Sequence, residues 1–346
     1  MRKLFFMAAL ASVAFASCTK DENFYENEKQ AIDFNPVAHI SQSRADYTGS
    51  AFGAFAWVGT TSNDPNTDVF MNGVEVTKNE VAGTGSKWQP TTVHYWPDIA
   101  DTDVDFCCFS PYTLKSSVSI PDANSFKIAT QTIVPGKSND DIMYTSKAIK
   151  QTKATNATSG VAVVFNHALA QLKFTVSGEN LTYGGVTYTI NVTKITVTGI
   201  QHKGSLTMAL NSDNINWDKP LNEIWAVEKG TTDNFVINGS QTVTGSSVQI
   251  GTNVYVLPQQ VKTESITATI DYTIKTAVGN TESTDVVKQA TFNISGVTPE
   301  YWQMNKVITY NIKFNPTNNL TPIYFVPTVN DWGQVAGAED VINPNA

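Results

Sequence analysis

Asp101, Asp103 and Asp105 alternate, with Asp98 just before them, and carboxylates in that spacing open a calcium-binding loop. The pattern then fails. Phe106 stands where the sharp turn needs Gly, and Tyr112 where a bidentate Glu belongs. The run reads instead as a solvated hairpin entering a strand from Val104 to Ser110. Four histidines, at 39, 94, 167 and 202, lie scattered in strand-like surroundings and read as surface or satisfied core residues. Cys107 and Cys108 are neighbours, so in a strand their thiols point to opposite faces, and a bond between them would be strained. At least one reads as a buried thiol. There is no His-Glu-x-x-His, no Cys-x-x-Cys, no Gly-rich phosphate loop and no Gly-x-Ser-x-Gly. No pair of carboxylates is nominated for glycoside hydrolysis, which needs two converging ~5–10 Å apart. The expectation is a protein that is not an enzyme, with no catalytic residue, no metal ligand and no cofactor.

Trp57, Trp88, Trp96, Trp217, Trp225, Trp302 and Trp332 raise a binding chemistry, since exposed aromatic rings stack on sugars. Their dispersal near strand ends favours core and sheet-edge packing over a sugar platform. The balance of 23 Lys+Arg against 31 Asp+Glu gives a net charge of −8, which argues against a nucleic-acid partner. Charged residues are 16% of the 346, low against a typical ~25%. Hydrophobic residues are 41%, enough to build a core and to exclude disorder. Thr and Val together supply about a fifth of the chain, a β-rich bias. The length suggests two domains.

The first residues read as an address. Arg2 and Lys3 precede a mostly apolar run from Leu4 to Ala16, then Ser17 and Cys18. This is a secretory signal pattern, with an apolar run too short for a membrane span of ~20 residues. Phe15-Ala16-Ser17-Cys18 resembles a bacterial lipoprotein box, with Phe15 where the box usually has Leu. The resemblance implies that residues 1–17 are a removed signal peptide and that Cys18 is lipidated. Residues 18–30, with Asp21, Glu22, Glu26 and Glu28, read as a flexible acidic tether. Thr19 to Asn23 resembles the export signal of surface lipoproteins in Bacteroidetes-type bacteria. Loss of residues 1–17 leaves 21 positive against 31 negative charges. Such a chain gains nothing electrostatically at an anionic membrane, so an acyl anchor has to hold it there.

Beyond the tether the elements are strands. Phe126, Ile128, Thr130, Thr132 and Val134 share one face of a period-two pattern. Ile266, Ala268, Ile270, Tyr272 and Ile274 share another, and Ile308, Tyr310, Ile312 and Phe314 a third. Val69 to Val76 reads as a hairpin around Asn72-Gly73. The apolar parity changes between Val192 and Ile195, which predicts a bulge or bend. No long 3.6-residue period is present. Many short strands with turn signals predict antiparallel β-sandwiches. Polar residues 150–160 read as a linker, dividing the chain into an N-terminal sandwich over 31–155 and a C-terminal sandwich over 156–346. The alternative boundary runs from Ser177 to Gly185.

Several phrases follow one another along the chain. They are Ser43-Arg44-Ala45, then Phe52 to Trp57, then Tyr95-Trp96-Pro97, then Val104-Asp105-Phe106. Asp141 to Tyr144, Phe165 to Leu172, Trp302 to Tyr310 and Val329 to Trp332 complete the series. Their order resembles the fimbrillin family, the type V pilus subunits of Bacteroidales-type bacteria. Cys107-Cys108 departs from the family, which often has aromatic or Ala residues there. The resemblance implies an all-β fold of two tandem transthyretin-like antiparallel β-sandwich domains with Greek-key connections.

It also implies a mechanism. A lipidated precursor reaches the outer surface, and a trypsin-like protease cuts after an Arg and removes the first strand. A strand from the next subunit then fills the groove, completing missing backbone pairs in trans. Here the removable strand maps onto Ala31 to Ser43, with Ile32 and Phe34 as plugs and Pro36 suggesting an edge position. Arg44 is the only Arg after Arg2, so the resemblance points to it as the processing site, the alternative being a surface Arg in a loop. The donor maps onto Leu320 to Trp332, where Ile323, Tyr324, Phe325 and Val326 lie between Pro322 and Pro327. The competing reading makes that run the last strand of its own domain. Implied partners are other pilus subunits and an outer-membrane lipid anchor, with host or bacterial surface ligands as further candidates. The second functional reading is a surface glycan-binding lipoprotein of a polysaccharide-utilisation system.

Overall fold

The computed structural model describes residues 29–40, 43–58, 69–81, 85–97, 102–122, 125–135, 141–145, 148–209, 225–296, 299–316 and 322–331. These are overwhelmingly β, as the period-two patterns and the Thr- and Val-rich composition predict.

The first body is a sheet that closes on itself. Its order runs Val104–Ser110, Ala51–Val58, Val69–Val81, Gly85–Pro90, Phe34–Ile40, Val161–His167 and Met143–Thr145. Met143–Thr145 then pairs back onto Val104–Ser110, through Phe109 opposite Tyr144 and Ser110 opposite Met143. Closure gives each strand of the ring a neighbour on both sides. Ile32, Phe34, Phe52, Val76, Trp96, Phe106 and Phe165 fill the interior.

Two strands of this ring are buried on both faces. In Ala51–Val58, Phe52, Ala54 and Ala56 enter the first core, while Phe55 and Trp57 enter a second. Val104–Ser110 repeats the arrangement, with Phe106 and Cys108 facing inward and Cys107 and Phe109 facing the second core. The adjacent thiols therefore point to opposite faces as predicted, and both are wholly buried and unbonded to each other. The second core is covered by a sheet ordered Trp225–Val227, Lys203–Ala209, Ser125–Thr132 and Val118–Asp122.

The last body is a sandwich. One sheet holds Thr232–Thr242, Val186–Gln201, Thr267–Val278 and Val286–Asn293, with two short flanking strands. The other holds Ala170–Gly178, Lys306–Phe314 and Pro322–Asp331, with Val248–Gln249 and Val254–Val256 at its edge. Ile266 to Ile274 and Ile308 to Phe314 put their predicted apolar faces into one core between these sheets. The parity change at Val192 is a bulge, where the pairing of Val186–Gln201 with both neighbours shifts between Val192 and Lys194.

The hairpin expected at Asn72-Gly73 is corrected by the structure. Val69–Val81 is one continuous strand. Its register against Ala51–Val58 slips between Ala54 opposite Val74 and Ala56 opposite Met71. Gly73, at φ +58°, supplies a bulge. Left-handed glycine serves a bulge and a turn equally, and the long-range partner decided between them.

Residues 150–160, expected as a linker, hold the end of the strand Ala148–Gln151 and a helical turn, Lys153–Asn156, capped by Thr152. Val161–His167 lies beyond the expected division at 155/156 and pairs within the first sheet. The four-stranded sheet likewise takes strands from both sides of that division.

Candidate assembly site: the leading strand and its groove

The leading segment enters the first sheet step by step. Ile32 N–H donates to His94 O at 2.8 Å, and Trp96 N–H donates to Gln30 O at 3.0 Å. Val161 N–H donates to Asp33 O at 2.8 Å. From there Phe34 to Ala38 run parallel to Val161 to Phe165 over five consecutive pairs. On the opposite edge Phe34 faces Trp88, and Val37 to Ile40 pair with the strand Ser43–Asp46. The leading strand thus has neighbours on both sides and is not the edge strand that Pro36 suggested. Pro36 is accommodated because the ladder on the hairpin side skips Asn35 and Pro36.

Two apolar residues of the leading segment are buried. Ile32 and Phe34 are 1% and 4% exposed. Phe34 meets Phe52 and Phe106 edge to face, at 5.6 and 5.5 Å between ring centres. Tyr47, just past Arg44, stacks on Phe165 at 4.8 Å. Its hydroxyl lies 2.7 Å from Ser110 Oγ and donates to Ala51 O. Burial pushes the Tyr47 phenol above its ordinary range.

Three features of the groove escaped sequence reasoning. Asp33 is buried between the two plugs and pairs with Lys87 Nζ at 2.7 Å. Gly160, at φ +71°, lies so close that a Cβ there would sit 3.0 Å from the carbonyl carbon of Phe34 and 3.2 Å from Asp33 O. A cavity of about 370 Å³ opens beside the pair, walled by Asp33, Asp46, Lys78, Ser86 and Trp88 among others. A charge set within an apolar run, Ile32-Asp33-Phe34, was the one available signal.

Arg44 lies in Ser43–Asp46 with its backbone opposite His39, in the short connection between the leading strand and the rest of the sheet. Ile323, Tyr324, Phe325 and Val326 lie in Pro322–Asp331, which pairs antiparallel with Lys306–Phe314. Phe325 stands opposite Ile312 and Val326 opposite Asn311. That closing strand has Lys306–Phe314 as its one sheet neighbour among the described residues. Cys18, Trp217 and Trp332 lie outside the described residues.

The sugar platform finds no support among the described tryptophans. Trp57, Trp96, Trp225 and Trp302 are buried and Trp88 is half-buried. Of the acidic run, Asp105 accepts the Lys150 N–H at 2.7 Å. No group of three or more His, Cys, Asp or Glu among the described residues could hold a metal ion. His167 Nδ1 lies 2.5 Å from Asp141 Oδ2, a side-chain contact within the fold. Among the described residues, no helix is long and apolar enough to cross a membrane.

No curated protein sequence matches the chain. A fimbrial protein from Bacteroides vulgatus superposes with a TM-score of 0.56 at 17% identity, covering 88% of this chain and 99% of the other. A candidate cell adhesion protein from Bacteroides uniformis superposes with a TM-score of 0.51 at 15% identity, covering 89% and 99%. At those identities the likeness concerns the fold. The family model described as fimbrillin-like matches residues 43–332, which is most of the sequence. The chain therefore belongs to the fimbrillin-like family.

Proposed function

We propose that this protein is a structural or adhesive subunit of a cell-surface pilus, carried to the outer membrane as a lipoprotein on Cys18 and assembled by protease-triggered strand exchange. One observation carries the reading. The leading strand is the first described element of the chain and completes a closed sheet, with Ile32 and Phe34 buried in its core. Along the sequence it leads into the segment that holds Arg44, which is its antiparallel neighbour. A cut after Arg44 frees that strand without severing any other pair of neighbours. Its departure exposes Phe52, Phe106 and Phe165 and strips the Val161–His167 edge of its partner, which a strand from another copy or a related subunit can replace.

The closing strand Pro322–Asp331 supplies the donor, with Ile323, Tyr324, Phe325 and Val326 as its central residues. As an edge strand with one described neighbour, it gives up a single ladder on leaving. The fibre then presents whatever surface the subunit offers to host or bacterial ligands.

The test is trypsin treatment of the lipid-free precursor. The expected result is one early cut after Arg44, followed by oligomers on native gels, with both lost in Arg44→Gln. If Arg44→Gln oligomerises as fast as the parent, the reading fails.

A further inference from the structure

We infer that a cavity walled by Gln201, Trp225 and Glu264 binds a primary ammonium group carried on a short alkyl stem. None of the elements around it pairs with the leading strand, and the inference does not rest on the strand-exchange reading.

The cavity measures about 280 Å³ and lies where Val186–Gln201 ends, beside the edge strand Trp225–Val227. Gln259–Gln260, paired with Tyr301–Trp302, forms another wall. These walls are held in place before any ligand arrives. Gln201 N–H donates to Gln259 Oε1, and Gln259 Nε2 donates to both Gln201 O and Leu257 O, each at 3.0 Å. Trp225 is 1% exposed, and its Nε1 donates to Ala168 O at 2.8 Å. A site ordered in advance loses little entropy on binding.

Two acceptors on this cavity are poorly met. Gln201 is 6% exposed, and its Oε1 is buried with no hydrogen-bond partner. A buried acceptor left so costs the fold its desolvation. Glu264 is the second, with its side chain 20% exposed. Among the described residues its one ion-pair contact is Lys229 Nζ at 3.8 Å, beyond hydrogen-bond distance. Lys229 is 82% exposed at its side chain, so it turns into water at little cost. An ammonium has three donors and no acceptor, and can serve both oxygens at once. An alcohol brings one donor and leaves one oxygen unmet. A guanidinium spreads five donors over a planar fork that two acceptors do not fill. Val227 and Pro258 line the same cavity and suit an alkyl stem, while an indole wall attracts a cation. The net charge of −8 favours cations from a distance as well.

A lysine side chain of another polypeptide and a free alkylamine share this chemistry, and the probes separate them. The full-length lipid-free protein is titrated with Nα-acetyl-lysine methylamide, with n-butylamine and with n-pentanol, following the NMR signals of the Gln201 and Gln259 amides and the Trp225 indole. Amine is expected to saturate these shifts at millimolar concentration, with pentanol at least about tenfold weaker. Saturation by the blocked lysine assigns the site to a lysine side chain, and saturation by butylamine alone assigns it to a free amine. Glu264→Gln should weaken amine binding at least about tenfold, and Gln201→Met several-fold. Neither should lower the urea midpoint, because one removes a weak exposed pair and the other an unmet buried acceptor. Saturation by neither amine, pentanol binding as tightly as amine, or unchanged amine affinity in Glu264→Gln overturns the inference.

Discussion

The Tyr47 hydroxyl and Ser110 Oγ lie 2.7 Å apart inside the first core, joining the residue just past Arg44 to the far end of the strand Val104–Ser110. This contact pins the chain at the point where the leading strand would part from it. Tyr47→Phe keeps the ring stack on Phe165 but leaves Ser110 without this hydroxyl partner. The expected loss is about 1–2 kcal/mol in urea unfolding, with no change in the site of trypsin cleavage.

Gly160→Ala should be worse than its one methyl suggests. The new Cβ meets Asp33 and Phe34 backbone, which cannot rotate away, and φ is +71°. A loss of about 1–3 kcal/mol is expected, with amide exchange rising first at Phe34 to Ala38. Uniform acceleration across all the described strands would contradict this local assignment.

Phe34→Ala removes a ring packed edge-on against Phe52 and Phe106. Truncation of a buried Phe typically costs about 3–5 kcal/mol. The loosened strand should open the hairpin that holds Arg44, so trypsin should cut there several-fold faster than in the parent. Slower or unchanged cutting would mean that Arg44 is reached without strand opening.

Phe325→Asp probes the proposed donor. Cleavage after Arg44 should proceed at the parental rate while oligomers fail to form. Circular dichroism checks that the altered chain is still folded, and normal assembly would move the donor elsewhere.

Alkali should weaken the fold. Burial raises Tyr47 and Tyr144 above the ordinary 10.0, and raises Cys108 above 9.0, with the neighbouring Cys107 adding to the effect on Cys108. A raised folded-state value means that the unfolded chain gives up its proton first. The contribution is complete below about pH 9 for the thiol and pH 10 for the phenols, and it drains away as pH climbs toward the folded values. The urea midpoint should hold between pH 7 and 8.5 and fall from about pH 9.5 upward. Cys108→Ala should flatten the early part of that fall.

Some of this was legible in the residues. The strands Thr267–Val278 and Lys306–Phe314 show their buried faces as strict alternation, because each has one face on a core. The bulge after Val192 was visible as a break in parity, since one extra residue flips every later side chain. Ala51–Val58 was harder, because both of its faces are buried and periodicity disappears.

Amino-acid order by itself determined the β class, the apolar faces, the candidate address at Cys18 and the lone Arg44 after it. Only the tertiary structure decided that Phe34 to Ala38 run parallel to Val161 to Phe165, that Asn72-Gly73 bulges rather than turns, and that Asp33 meets Lys87 across 54 positions. The reason is physical. Alternation and turn chemistry are set by neighbours along the chain. Strand order, register and buried ion pairs are instead set by which distant edges and charges can be satisfied together.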